Sequence, residues 1–406
     1  MNDRGGRIFF GWYIVAACFV VNFVVFGISI NTFTVYVKPI EADLGWSRGK
    51  ISLAITLAAL SMGAAAPFIG LLIDRIGAKL VMATGAGVIG IGSLMLAKTQ
   101  SAAYFYTIYV LAGVGQGAAT IIPISLVISN WFTVKRGRAL GIVMTGTGLG
   151  AMVMVPVTSW IVITWNWRTS YVIMGFIILL MVPLNLLMIR TRPSDMGLQP
   201  DGGMISDETP AEIGGLSLQE AVRTSGFWLI AIMMLSAGMV GLGIGVHLMA
   251  YLTDIGHTEA AAASIIAIIS GLTVVGKIGM GFIADHWGIR RAVVLTFTVI
   301  IAGILLLMGA KVQTIAWAFA VVYGFAIGAP LLINPALTAE CLGLKNFGAI
   351  FGILTLASTV GAAIGAVLSG VIYDHAKSYL PAFWLFIVLM AIAGICGVMA
   401  RKKASV

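Results

Sequence analysis

The segments GLLIDRIGAK (residues 70–79) and GFIADHWGIR (residues 281–290) carry one pattern twice. Gly70, Asp74 and Gly77 fall on Gly281, Asp285 and Gly288 at an offset of 211 residues. The same offset carries Gly113 and Gly117 onto Gly324 and Gly328, and Gly137, Gly141 and Gly150 onto Gly348, Gly352 and Gly361. One spacing held at three separate landmarks marks a chain built from two parallel copies of one plan.

Between these landmarks the chain is apolar. Of its 406 residues 60% are hydrophobic and 10% charged, and its mean hydropathy is +1.05. Runs of membrane-spanning length recur throughout, which reads as an all-α membrane protein. Breaking the runs at charged residues gives twelve transmembrane helices near 9–36, 50–73, 79–98, 103–131, 138–163, 169–189, 226–250, 260–284, 290–310, 314–339, 347–373 and 380–400. The first run is too long for a secretory signal and lacks a small-residue cleavage pattern, so it reads as a retained span. The longest polar interruption divides the chain into a six-helix half (1–189), a linker (190–225) with a short amphipathic helix around 216–222, and a second six-helix half (226–406). Two parallel repeats of six spans are the plan of a transporter with its site at mid-membrane.

Charge sets the expected orientation. With the N-terminus inside, the inner segments hold sixteen Lys/Arg and the outer loops seven, with Lys277 the last of the 24. That bias places both termini and the linker in the cytoplasm and the protein in the plasma (inner) membrane. The net charge of +9 is thus a matter of topology and lipid rather than nucleic acid. The clusters KRGR (135–138) and RKK (401–403) read as anchors beside anionic lipid. Cys18, Cys341 and Cys396 lie far apart with no metal-ligand spacing. The sequence calls for no cofactor, metal or obligatory protein partner. An intramembrane enzyme would need a nucleophile paired with a base, and the spans hold no glycine-flanked nucleophile and no ATP-binding motif. GVGQGAA (113–119) has no strand before it and reads as close helix packing rather than a dinucleotide loop.

The repeated loop resembles that of the major facilitator superfamily. In that family's pattern, G-x-x-x-D-R-x-G-x-K, the residues here are Gly70, Asp74, Arg75, Gly77 and Lys79, echoed by Gly281, Asp285 and Gly288. The resemblance implies the major facilitator fold of two pseudo-symmetric halves. It also implies a gate in which the aspartates cap helix N-termini on the cytoplasmic side. GWY (11–13), DLGWSRGKIS (43–52), NWRTSY (166–171) and RPSDMGLQPDG (192–202) narrow the resemblance to the monocarboxylate transporters and oxalate/formate antiporters. In that group a cation in the eighth helix binds the substrate carboxylate, and Lys277 occupies the matching place. The sequence departs from the group in two respects. Thr273 stands where an aspartate precedes the cation by one turn, and Asn31 where the first helix carries a lysine.

Lys277 itself is conspicuous. It lies eight residues inside Asp285, roughly 12 Å within a hydrocarbon core roughly 30 Å thick. A lysine there costs roughly 3 kcal/mol on insertion scales, which points to function. All fifteen acidic residues fall in loops or at helix ends, so an anion that comes and goes is its natural partner; a structural ion pair is the competing reading. The eleventh helix contains no Lys or Arg, so one cation suits one carboxylate rather than two. Lys277 would also be the proton carrier, binding a proton and an anion that cross as a neutral load.

His247 is the only histidine well inside a span and is the second candidate for proton coupling and substrate contact. A histidine tied to a backbone carbonyl is the plain alternative, although Gly243 and Ile244 on its face would leave room for a ligand. The superfamily lines its cavity with helices 1, 4 and 10. The resemblance therefore implies substrate contacts at Asn31, Gln116, Tyr323 and Asn334, and at Thr120, with interhelical bonding as the alternative for each. Ile28 and Leu354 would meet the aliphatic part. The function expected is proton-coupled symport of a small monocarboxylate, lactate- or pyruvate-like, by alternating access, with an organic-anion exchanger of the oxalate/formate type as the rival.

Overall fold

The computed structural model describes residues 9–202 and 214–401, so the linker residues 203–213 and Lys402 and Lys403 of the basic tail lie outside it. Among the described residues twelve helices are long and apolar enough to cross a membrane: α1 (Phe10–Leu44), α2 (Arg48–Ile76), α3 (Ala78–Leu96), α4 (Ala102–Trp131), α5 (Arg136–Thr164), α6 (Trp167–Met188), α7 (Ser225–Asp254), α8 (Glu259–Trp287), α9 (Ile289–Met308), α10 (Gln313–Leu342), α11 (Phe347–Ala376) and α12 (Leu380–Met399). The chain is an all-helical, multi-pass membrane protein. Helices suit a bilayer because each satisfies its own backbone hydrogen bonds.

The helices gather into two compact units. The first holds residues 1–65 and 72–214, the second residues 215–406 together with the short stretch 66–71 of α2. Each unit is built by the same glycine contacts. In the first, Gly113 of α4 lies against the carbonyl of Ala58 in α2. In the second, Gly324 of α10 lies against Ile269 of α8, where a Cβ would come within 2.9 Å of the Ile269 Cα. Residues 58 and 269 are themselves 211 apart, so the repeat is one of contacts as well as of letters. Gly150 of α5 meets Phe23 and Gly27 of α1, and Gly361 of α11 meets Leu235 of α7. With no hydrophobic drive between helices in lipid, close approach at small residues supplies the packing.

The motifs that narrow the resemblance turn out to be fasteners. Ser47 caps α2 through the Lys50 N–H at 3.3 Å, and Asn166 caps α6 through the Thr169 N–H at 2.7 Å. Arg168 donates to the Asp43 carboxylate and stacks 4.2 Å over the Trp167 ring, whose Nε1 also donates to Asp43 at 3.3 Å. Together they tie the end of α1 to the start of α6. The expected amphipathic segment near 216–222 is a single helical turn, Leu218–Ala221, with a Ser217/Glu220 capping box.

Asp201 does the same for the segment after α6. Its carboxylate accepts from the Thr133 and Val134 N–H groups, each at 2.8 Å, from the Lys135 N–H at 3.3 Å and from the Thr133 hydroxyl. Burial pushes this carboxyl up, but the hydrogen bonds from Thr133, Val134 and Lys135 outweigh it and hold it below its ordinary value. A depressed carboxyl contributes fully above its unfolded value, about 3.9, and loses its contribution as the pH falls further. Asp201→Asn should therefore speed amide exchange at residues 133–135 about fivefold at neutral pH, the scale of a helix-start carboxylate worth about 1 kcal/mol. Variant and wild type should converge in strong acid. Equal exchange at neutral pH would show that other groups hold these amides.

Candidate functional site

Each unit departs from regular helix geometry where polar groups collect. In the first, α1 widens to a π-turn at Gly27–Asn31, and α4 breaks at Thr120 (φ −122°, ψ −109°). In the second, α10 breaks at Gly328 and Ala329 ahead of Pro330, which has no N–H to continue the ladder. Irregular backbone inside a membrane protein is sustained where protein buries it or where it lines a cavity.

In the second unit Lys277 is 2% exposed, and its chain crosses the break in α10: a Cβ on Gly328 would lie 3.0 Å from the Lys277 Cε and 2.5 Å from the Thr273 methyl. Glycine at 328 is what lets the lysine stem pass. Thr273 donates to Ile269 O at 2.8 Å and lies 3.1 Å from Gly324 O, so at the aspartate position of the related group it ties α8 to α10. Gly276, one residue before the lysine, packs on the Phe325 carbonyl.

Tyr323 is buried on a different side of α10, against Gly303 of α9 and Phe319, with its hydroxyl lacking a hydrogen-bond partner among the described residues. Asn334, past the break, is 8% exposed, and its Oδ1 likewise has no partner there. His247 sits elsewhere again: its Nε2 bonds Ala366 O of α11 at 3.0 Å, and its Nδ1 meets the Tyr379 hydroxyl at 3.2 Å. The Ala366 carbonyl can only accept, so Nε2 donates to it, and both ring nitrogens have a partner. The room expected beside Gly243 is filled by the Phe386 ring, which a Cβ would meet at 2.5 Å.

In the first unit Gln116 is 2% exposed and is joined by Ser29, whose hydroxyl reaches its Oε1 and also Val25 O at 2.6 Å. The Gln116 Nε2 has no partner among the described residues. Asn31 Nδ2 donates to Phe26 O at 3.0 Å, five residues back, which matches the register of the π-turn it ends. Asn31 is thus part of the turn that presents Ser29. The sequence reading missed Ser29, and it missed three tyrosines beside it: Tyr36 and Tyr171 stack at 4.1 Å, and the Tyr109 and Tyr171 hydroxyls meet at 2.8 Å. Tyrosines in apolar spans were the available signal, but their meeting depends on how α1, α4 and α6 pack.

The loop-motif residues behave as equivalents. Gly77 and Gly288 share one left-handed conformation, φ +84° with ψ 156° and 153°, each joining two helices at a bend. That conformation explains glycine at both places. Gly70 and Gly281 are buried, Asp74 and Asp285 half-buried and Arg75 exposed. Within the second unit, a Cβ on Gly70 would overlap Gly348 O.

The family model described as Major Facilitator Superfamily matches residues 17–341 and 280–405. The chain belongs to the major facilitator superfamily. Within that superfamily it is similar to monocarboxylate transporter 13 of Rattus norvegicus, 24% identical over 379 residues that cover 92% of this chain and 85% of the relative. It is also similar to monocarboxylate transporter 12-B of Danio rerio, 22% identical over 406 residues covering 92% of this chain and 83% of the relative. Among solved structures, the Escherichia coli fucose:proton symporter FucP superposes with a TM-score of 0.75 at 14% identity, covering 96% of this chain and all of that one. The human organic anion transporter MFSD10 gives 0.73 at 12%, covering 95% and 99%. These likenesses establish the fold. As a major facilitator the chain is a membrane transporter of small substrates, and its relatives are transporters, not enzymes.

Proposed function

We propose that this major facilitator is a secondary active transporter of small monocarboxylates of the lactate and pyruvate kind, driven by proton symport through alternating access. The observation that carries the reading is Lys277, a cation 2% exposed in mid-span, laid across the glycine break of α10. A buried ionisable side chain inside a membrane is a functional-site candidate by default, and a carboxylate is the charge complement of a lysine. The relatives named monocarboxylate transporters support the substrate class. The basic-residue bias supports a plasma (inner) membrane location with both termini and the linker cytoplasmic, and the polar interruption with the 211-residue repeat supports halves at 1–189 and 226–406. In this reading Lys277 binds the carboxylate. Asn31, Gln116, Tyr323 and Asn334 are the neutral candidates for substrate hydrogen bonds. Lys277 carries the proton, with His247 the alternative carrier. The two loop motifs, Gly70 to Gly77 and Gly281 to Gly288, act as the gate.

Uptake of labelled lactate into liposomes holding the purified protein tests the reading. An inward proton gradient should accumulate lactate with no substrate inside. Malonate or oxalate should compete at least about tenfold less well, because one cation pairs with one carboxylate and leaves a second desolvated. Uptake that requires preloaded internal acid would favour the anion exchanger. Better competition by oxalate than by lactate would refute the monocarboxylate assignment.

A further inference from the structure

The second unit carries an open groove between α9 and α12 that no role described above uses. It encloses about 410 Å³. Gly397 lies against Val293 and Gly394 against Phe297, so the two helices run in opposite directions along it. On α9, Val294, Phe297 and Ile301 line it, and on α12 Ala391, Ile395 and Val398 do so, each set at the spacing of one helix face. The groove exists because α12 presents small residues to α9. At Gly394 a Cβ would stand 3.5 Å from the Phe297 Cβ, and glycine there leaves a trough over the ring. Phe297 and Met390 are buried beneath it, while Val294, Ile395 and Val398 stay exposed.

Exposed apolar surface is ordinary in a membrane protein, since lipid tails are as apolar as leucine. Length and charge set this groove apart. From Met390 to Met399 α12 advances nine residues, about 13 Å, against roughly 15 Å for one leaflet, half of a hydrocarbon core roughly 30 Å thick. That is the length of one acyl chain laid along the helices.

The charge lies at one end only. Arg290 at the start of α9 donates to Ala400 O just past α12 at 3.4 Å, so these two helix ends meet. Arg291 is exposed three residues before Val294, and Arg401, which opens the RKK cluster, is exposed three residues after Val398. Glu340 lies 3.9 Å from Arg290 and answers one of the three arginines, which leaves this end positive. Towards the other end, 302–310 of α9 and its cap and 380–390 of α12 hold no charged residue.

We propose that the groove is a site for one anionic glycerophospholipid. Its acyl chain lies between α9 and α12, and its phosphate and headgroup meet Arg291 and Arg401. Arginine suits this end because its planar fork bonds two phosphate oxygens at once, and basic pockets between helices are how anionic headgroups are recognised. A zwitterionic lipid fits the same trough but brings an ammonium group that the arginines repel. The site lies within the second unit and does not depend on which substrate is carried.

The test uses the purified full chain, freed of lipid by detergent exchange and titrated with phosphatidylglycerol or phosphatidylcholine of matched chains. Native mass spectrometry reads the lipid adducts, and thermal unfolding reads their effect on stability. Wild type should hold one phosphatidylglycerol at least about tenfold more tightly than phosphatidylcholine and unfold at a higher temperature with it. Arg291→Gln and Arg401→Gln should each lose about fivefold for phosphatidylglycerol, the scale of one basic residue beside anionic lipid, and leave phosphatidylcholine unchanged. Gly394→Leu fills the trough and should weaken both lipids alike. Ala391→Leu fills it from the next turn and decides the matter if the first variant does not fold. Glycerophosphoglycerol, the headgroup without chains, should not compete. Equal affinity for the two lipids in wild type, or full phosphatidylglycerol affinity in both arginine variants, would overturn the proposal. Unchanged binding in the filled variants would place the lipid elsewhere, and competition by the chainless headgroup would reduce the site to a surface anion site. A lipid-free wild-type dimer that Gly394→Leu dissociates, seen by light scattering, would give the groove to a second copy of the chain instead.

Discussion

Lys277→Gln is expected to abolish saturable lactate uptake at concentrations that saturate the wild type, while the protein still folds. Glutamine keeps the length and hydrogen-bonding ability of the side chain but removes the charge. A carboxylate that has lost a buried charge partner is left desolvated, which costs about 2–4 kcal/mol, or roughly thirtyfold to a thousandfold in affinity. Folding should survive because a neutral side chain enters a membrane more readily than a charged one. Lys277→Arg separates binding from coupling. Arginine also pairs with a carboxylate, so binding should persist, although its wider head must pass the Gly328 break. An amine can hand its proton on and a guanidinium cannot, so accumulation driven by a pH gradient should disappear. Substrate affinity and accumulation measured against pH for the three proteins check both expectations. Wild-type lactate affinity in Lys277→Gln would mean that the lysine serves only the packing of α8 on α10. Full proton-driven accumulation in Lys277→Arg would pass the carrier role to His247, whose ring nitrogens would first have to leave Ala366 and Tyr379.

Gly276→Ala should be the most damaging single-methyl change near the site. Its Cβ would overlap the Phe325 carbonyl oxygen and stand 2.7 Å from the carbonyl carbon, against backbone that cannot swing aside. The helices must separate, at a cost of about 3 kcal/mol, the upper end for overpacked cores. Lys277 is the next residue and lies on the same helix contact, so the separation should weaken substrate binding as well as stability. Gly271 in the same helix has nothing within 4 Å of its Cβ position, so Gly271→Ala should be tolerated and serves as the control. Thermal unfolding in detergent together with lactate uptake compares the two. If they behave alike, the α8–α10 contact is looser than its geometry indicates.

The outcome at individual residues shows how far the sequence could be read. Lys277 stands out in the sequence because a charge inside an apolar run has few explanations. Gly113 was legible as packing, because close approach in lipid demands small residues, and Gly150, Gly324 and Gly361 were legible as repeat landmarks that the structure shows to be helix contacts as well. His247 looked equally conspicuous, yet its two nitrogens are taken by an α11 carbonyl and a tyrosine at the start of α12. Asn31 was read as a substrate contact or an interhelical bond, and its amide nitrogen donates to the Phe26 carbonyl in the π-turn. A polar residue in a span needs a partner, and the one-dimensional pattern does not say whether a backbone carbonyl five residues back or a ligand supplies it.

Hydropathy by itself was sufficient for twelve helices, because spanning length is written locally along the chain, while the 211-residue repeat carried the expectation of a duplicated plan and the loop motif carried the resemblance to the superfamily. The meeting of Ser29 with Gln116, the stack of Tyr36 on Tyr171 and the passage of Lys277 over Gly328 were decided only by the tertiary structure. The physical reason is that each depends on the rotation of one helix against another and on where α1, α4 and α10 depart from regular geometry. Those are set by the fit of many side chains at once, and no single stretch of sequence records them.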